Sequence, residues 1–270
     1  MKKSIFWTLA LAAAFGLAFS SCIVAVVDTS DMDRYPGGGE FRKLLPFPAG
    51  GTVMLDNAFG NIEIYGWDRN EAEVVAREAG TLRPGFYWLG FPGWEGAQSR
   101  VRLDSFDGLI KIQTRSQERG ERSLDYLINL PVSVVINPVH CREGNVLLSG
   151  LYGRAVLDVR QGDVRVENFS GSLDASLGRG NADVELLDLR RGDEVRITST
   201  AGDIALYLEK NVSARLEASA PLGRVESDFD LGQKLPDQKV KGQIGDGQAL
   251  ISLAAIQGRI SIKQVRDRDQ

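Results

Sequence analysis

The side chains able to do chemistry are few and scattered. His140 is the single histidine, and Cys141 follows it. A usual zinc site needs four ligands drawn from thiolates, imidazoles and carboxylates. The one other cysteine, Cys22, lies far away in sequence, so no thiol stands near enough to complete a set, and Cys141 reads as a small, buried apolar residue. Carboxylate pairs such as Asp158 with Asp174, or Asp183 with Glu185, are the raw material of glycoside hydrolysis. Here they alternate with Arg160, Arg165, Arg179 and Arg196. That mixture is the pattern of a solvated, charge-paired strand face. The run Gly178-Arg179-Gly180-Asn181-Ala182-Asp183 carries the letters of a calcium-binding β-roll repeat, which needs several copies at a nine-residue period. A single imperfect copy reads as an ordinary turn. Glycine-rich nucleotide fingerprints are absent. No catalytic residue, metal or cofactor is assigned, and a non-enzyme is expected.

Aromatic residues offer a different chemistry. Phe86, Tyr87, Trp88, Phe91 and Trp94 crowd together between Pro84 and Gly96. Prolines and glycines argue against a central strand, so residues 80–100 read as an inserted loop. Its aromatics suit stacking on sugars, anchoring a protein partner or touching a membrane. The alternative is a hydrophobic flap that closes one end of a stack.

The elements that must carry these residues are strands. Gly144-Asn145-Val146, Gly162-Asp163-Val164, Gly180-Asn181, Gly202-Asp203-Ile204 and Gly223-Arg224-Val225 recur, about 18 residues apart for the first three and 21 to 22 for the rest. A weaker copy, Gly258-Arg259-Ile260, follows. Between them apolar residues alternate: Val164 and Val166, Val184 and Leu186, Val195 and Ile197, then Ile204, Leu206 and Leu208. Period-two alternation marks half-buried strands, and a fixed period near 20 points to a stacked array. Gly followed by Asn or Asp suits a tight turn, with the Asx side chain bonding its own nearby backbone. The expected fold is all-β, a single-domain β-solenoid, with a β-sandwich as the alternative. Further strands are expected at 53–55, 62–64, 73–76, 109–112, 126–130, 132–136, 248–253 and 259–262.

The chain has 270 residues, of which 43% are hydrophobic, enough for one sizeable core. Its net charge is −4; without the first 22 residues it carries 30 basic against 36 acidic residues, a net charge of −6. This argues against a nucleic-acid partner, which calls for a basic patch.

Residues 1–22 have the layout of an export signal: Lys2 and Lys3, an apolar run over 5–19, then Ser20 and Ser21 before Cys22. Phe19-Ser20-Ser21-Cys22 resembles a bacterial lipoprotein lipobox, with Phe19 where leucine is usual. The resemblance implies that the Cys22 thiol receives a diacylglycerol and becomes the first residue of the mature protein, a stable two-chain anchor. Isoleucine at position 23 implies outer-membrane sorting. Residues 5–27 are also long enough to span a bilayer uncleaved, and simple secretion is a third option. Residues 23–46, with Pro36 and Gly37-Gly38-Gly39, read as a tether, 47–265 as the repeat domain and 266–270 as a charged tail.

Gly51-Thr52-Val53, Gly60-Asn61-Ile62 and Gly66-Trp67-Asp68-Arg69, followed by the repeats of 144–225, resemble the adhesin-like β-strand-repeat family, a domain of unknown function. The resemblance covers residues 47–265. It implies a β-solenoid-like fold at the cell envelope, with no established activity and no site residues to transfer. The sequence thus points to a lipid-anchored envelope protein that presents a surface to a protein or polysaccharide partner. The runners-up are a β-helix carbohydrate-active enzyme and an envelope signalling component.

Overall fold

A computed structural model describes residues 40–78, 97–115, 123–231 and 238–265. Apart from one helical turn, Ala97–Arg100, the described elements are strands. In chain order these are β1 (Glu40–Pro46), β2 (Thr52–Phe59), β3 (Ile62–Trp67), β4 (Glu71–Glu78), β5 (Val101–Phe106) and β6 (Leu109–Thr114). The next are β7 (Leu124–Pro131), β8 (Ser133–Glu143), β9 (Val146–Ser149), β10 (Tyr152–Gln161), β11 (Val164–Arg179), β12 (Ala182–Asp188) and β13 (Glu194–Ala201). The last are β14 (Ile204–Leu208), β15 (Ala214–Ser219), β16 (Arg224–Ser227), β17 (Lys239–Ile244), β18 (Ala249–Gln257) and β19 (Arg259–Gln264).

These strands wind as a β-solenoid with two stacked layers. The first layer runs β1–β4–β7–β3–β9–β11–β12–β14–β19–β16. The second runs β5–β6–β2–β8–β10–β11–β13–β18–β15–β17. Strand β11 belongs to both, because it turns at Asn168, whose φ of 51° is left-handed. Pairing is parallel throughout the interior of each layer and antiparallel only at β1, β4, β5 and β17. Parallel strands of successive coils place like positions directly above one another, about 4.8 Å apart. Each inward residue therefore stacks on its counterpart, and one apolar cluster runs through the stack. Val164, Val166, Val184, Leu186, Val195, Ile197, Ile204, Leu206 and Leu208 are all buried in it, as the alternation predicts.

The order of coils departs from the order of the sequence at both ends. Strands β6 and β7 lie outside β2 and β3, although they come later in the chain. At the other end β18 and β19 slot between β13/β14 and β15/β16. Gly223 therefore belongs to the last coil, and the weak copy at Gly258 to the coil before it. The physical reason lies in the side chains. Ile251, Leu253, Ile260 and Ile262 are buried and fill an interior coil. The β15/β16 coil ends in a four-residue strand and is covered on its outer side by antiparallel β17. An antiparallel strand breaks the parallel repeat and so closes the stack. At the opposite end β4, β1 and β5 do the same, so Glu40–Pro46, within the segment read as a tether, is already part of the fold.

Two side-chain-free or polar columns hold the corner where the second layer turns into the first. Gly60, Gly144, Gly162, Gly180, Gly202, Gly258 and Gly223 stack there, and a Cβ on each of the upper six would overlap the carbonyl oxygen of the glycine beneath. Beside them runs a column of Asx residues. The amide N–H of Asn145 donates to Asn61 Oδ1 (3.0 Å), Asp163 to Asn145 (2.9 Å), Asn181 to Asp163 (2.8 Å) and Asp203 to Asn181 (2.9 Å). Asn61 in turn donates to Asp125 Oδ1 (2.8 Å), and Arg259 to Asp203 Oδ1 (2.7 Å). The Asx side chains thus bond the neighbouring coil rather than their own turn. Along the column every aspartate is separated from the next by at least one asparagine, which keeps like charges apart.

Candidate binding surface

The opposite corner, where the first layer turns into the second, carries the half-buried Trp67 beside exposed Val132 and Tyr152. Trp67 ends β3, and its indole N–H donates to the Glu71 carbonyl (2.8 Å), which pins the ring against the β3–β4 turn. The Arg69 guanidinium lies 4.9 Å from the ring centroid. Val132, which links β7 to β8, donates its N–H to the Trp67 carbonyl (3.2 Å) and accepts the N–H of Tyr152 (2.6 Å). Tyr152 opens β10 and is covered by Arg190 at 4.8 Å, whose Nη1 also donates to the phenol oxygen (2.8 Å). Asp188 holds Arg190 from the other side at 3.4 Å. Three neighbouring backbone levels therefore present two arginine-capped rings with Val132, 48% exposed, between them. Backbone hydrogen bonds fix the spacing, so this ridge is preorganised.

Among the described residues, the sites expected from sequence lie away from this ridge. Cys22 and the aromatic group Phe86, Tyr87, Trp88, Phe91 and Trp94 lie outside the described residues. His140 and Cys141 point to opposite sides of β8: Cys141 is buried, and His140 is exposed with its Nδ1 3.2 Å from Asp158. Burial pushes the Cys141 thiol up to about 11. Asp174 faces Arg196 at 3.6 Å, two positions along the face from Asp158. Asp183 projects from the outer face of β12, with Glu185 half-buried two residues on. Asp163 and Asn181 spend their Oδ1 atoms on the corner column. Among the described residues no group of three His, Cys, Asp or Glu is placed to hold a metal, and no helix is long and apolar enough to cross a membrane.

A shallow groove of about 290 Å³ opens beside Asp193, Glu194, Arg215, Gln248 and Leu250. Both of its carboxylates are engaged. Asp193 accepts Ser172 Oγ (3.2 Å) and the Arg190 N–H (2.7 Å), and Glu194 pairs with Arg196 at 3.1 Å.

The ridge escaped the sequence reading because its residues are far apart in the chain. Trp67 was placed in a motif and Tyr152 in a repeat, and neither signals that Val132 brings them together. The one available signal was Tyr152 at the start of a strand, where a small turn residue would serve.

The architecture is that of a parallel two-layer β-solenoid, and comparison with known proteins gives it a family context. Residues 137–263, just under half of the chain, match the Toastrack DUF4097 family model, so this stretch is similar to a β-repeat domain of unknown function. No curated protein matches the chain. Similar solved structures include a candidate cell adhesion protein from Clostridium sporogenes, 16% identical, covering 85% of this chain and 100% of that one at a TM-score of 0.49. A candidate adhesin from Bacteroides fragilis is 9% identical, covering 85% and 99% at 0.30. A candidate lipid binding protein from Parabacteroides distasonis is 13% identical, covering 85% and 98% at 0.25.

Proposed function

We propose that this chain is a non-catalytic, adhesin-like binding module of the bacterial cell envelope, anchored through a diacylated Cys22, with the outer membrane as its destination. Its partner is an envelope protein or polysaccharide. The observation that carries the reading is the ridge of Trp67, Val132 and Tyr152 with its two capping arginines. Tryptophan, tyrosine and arginine are the residues that supply most of the energy at interfaces. Rings held by backbone and guanidinium contacts lose little freedom on binding. The aromatic group of residues 86–94 extends the same chemistry.

Retention of the purified protein on isolated bacterial envelopes tests the reading. Wild type is expected to bind saturably, and Trp67→Ala/Tyr152→Ala to bind roughly tenfold more weakly or worse, since each ring is worth about 1 kcal/mol or more. Equal retention of the two proteins would remove the ridge from the account.

A further inference from the structure

The outer face of the second layer holds a like-charged pair that the fold does not use. The register that pairs Val159 with Cys141 and Gln161 with Glu143 sets Arg160 directly beside Arg142. Val159 and Cys141 point into the core, so both arginines point out, on parallel strands about 4.8 Å apart. Both are exposed. Neither has an ion-pair partner among the described residues, whereas Arg196 on the same face is paired with both Asp174 and Glu194. Like charges directly opposite each other on neighbouring strands cost stability. Arg142 is further steadied by the Phe59 ring, 5.7 Å from its guanidinium.

The same row continues across the sheet. Pairing of Leu177 with Val159 and Arg179 with Gln161 puts Gly178 next to Arg160. Pairing of Leu177 with Ser199 and Arg179 with Ala201 puts Thr200 next to Gly178. The adjacent row reads His140, Asp158, Ser176 and Thr198. There Thr198 Oγ1 donates to Ser176 Oγ at 3.2 Å, and Asp158 is taken up by His140. Exposed Gly178 carries no side chain and packs so close to the next strand that a Cβ on it would lie 2.5 Å from the Arg160 carbonyl oxygen; the face there is low, with two unpaired guanidinium groups on one side and the hydroxyls of Ser176, Thr198 and Thr200 on the other. Guanidinium forks match planar carboxylates and other oxyanions, and hydroxyls match sugar hydroxyls.

We infer that the Arg142–Arg160 pair and the side-chain-free position at Gly178 form a binding site for an acidic polysaccharide, with a sugar carboxylate between the arginines and the adjoining ring over Gly178. Charge complementarity selects the polymer over a membrane surface. Anionic bilayers attract broad basic clusters, and here Glu143, Asp158 and Asp174 lie around the Arg142–Arg160 pair. This assignment rests on the reading of the chain as a binding module and names one ligand class for it.

The test is titration calorimetry of the full chain with polygalacturonate, which bears a carboxylate on each sugar. Neutral dextran and inorganic phosphate serve as comparison arms. Binding to polygalacturonate and none to dextran is expected, weakening as salt rises. Arg142→Gln/Arg160→Gln should lose roughly tenfold or more in affinity, as removal of two charge-assisted contacts implies. Arg142→Lys/Arg160→Lys should fall between, keeping the charge and losing the fork. Both positions are exposed, so an unchanged circular dichroism spectrum is expected for each variant. Equal affinity of wild type and the Gln pair, absence of polygalacturonate binding, or binding of phosphate without the polymer would each overturn the assignment. Trp67→Ala/Tyr152→Ala is expected to leave polygalacturonate binding intact. Failure of this site would then leave envelope retention through the ridge standing, and the two readings fail separately.

Discussion

Replacing Gly162 by alanine measures how tightly the coils are stacked at the glycine corner. Gly162 has a φ of 141°, outside the range an L side chain favours, and relaxing or enduring that conformation costs about 1–2 kcal/mol. The added Cβ would also lie 2.6 Å from the carbonyl carbon of Gly144 and 3.3 Å from the amide nitrogen of Asn145. Ordinary carbon contacts are about 3.5–4.0 Å. The two coils must therefore part by about 1 Å at a corner that the Asx column also holds, and overpacking of that kind costs about 1–3 kcal/mol. The total is about 2–5 kcal/mol. Gly192 is the matched control. Its φ is 89°, yet nothing lies within 4 Å of its would-be Cβ, so Gly192→Ala should lose only the conformational part, about 1–2 kcal/mol. With a urea slope of about 2 kcal/mol per molar, the Gly162→Ala midpoint should fall about 0.5–1.5 M below that of Gly192→Ala. Coincident midpoints would refute the stacked corner.

Asn181→Asp would put three carboxylates in a row, Asp163, the new one and Asp203. Each new neighbour, about 4.8 Å away, adds roughly 1 kcal/mol of repulsion, so thermal melts at pH 7 should show a loss of about 2 kcal/mol that high salt or acid relieves. Cys141 holds its proton to about 11 when folded against 9.0 ordinarily, because burial disfavours the thiolate. The folded state therefore binds the proton more tightly, and that contribution is complete below pH 9 and lost as pH climbs to 11. Wild type should lose up to about 2–3 kcal/mol over this window that Cys141→Val does not, read from urea midpoints. Tyr126, raised to about 12 by burial, lowers both proteins alike above pH 10. Mass spectrometry of the N-terminal peptide from membrane fractions should find a diacylated Cys22 that Cys22→Ala lacks; an unmodified peptide running upstream through Phe19 would replace the lipid anchor with a spanning one.

Much of the fold was legible because the solenoid writes its period into the chain. Each coil must offer inward residues at every second position and a glycine where its corner meets the corner below, so alternation and Gly-Asx turns were enough to place strands at 164–166, 184–186, 195–197 and 204–208, though not β10 or the second half of β11. The coil order at the ends was not legible. Nothing in the local pattern of 249–262 says that it packs against β13 and β14 rather than beyond Val225, since that choice is made by competition between two apolar coils and by antiparallel β17. The partners of the Asx residues were misjudged for the same reason: a local turn and a cross-coil bond need the same residue type. Sequence also directed attention to Phe86, Tyr87, Trp88, Phe91 and Trp94, because aromatics crowded together in the chain are conspicuous. Trp67, Val132 and Tyr152 become neighbours only when β7 passes over the end of β3 to reach β8. Arg142 and Arg160 become a pair only through the parallel register.

Site-specific photocrosslinking in intact bacteria tests the central claim most directly, with a photoreactive residue at Val132 and, as control, at Ile256. Both positions are exposed, at 48% and 49%, and Ile256 lies in β18 on the outer face of the second layer, away from the ridge. The account predicts crosslinks to an envelope component from position 132 that are lost when Trp67 and Tyr152 are alanine, whereas any from position 256, which lies beside Thr200 at the rim of the acidic-sugar site, are unchanged by that double substitution. Crosslinks from 132 that survive the double substitution, or none from 132, would contradict it.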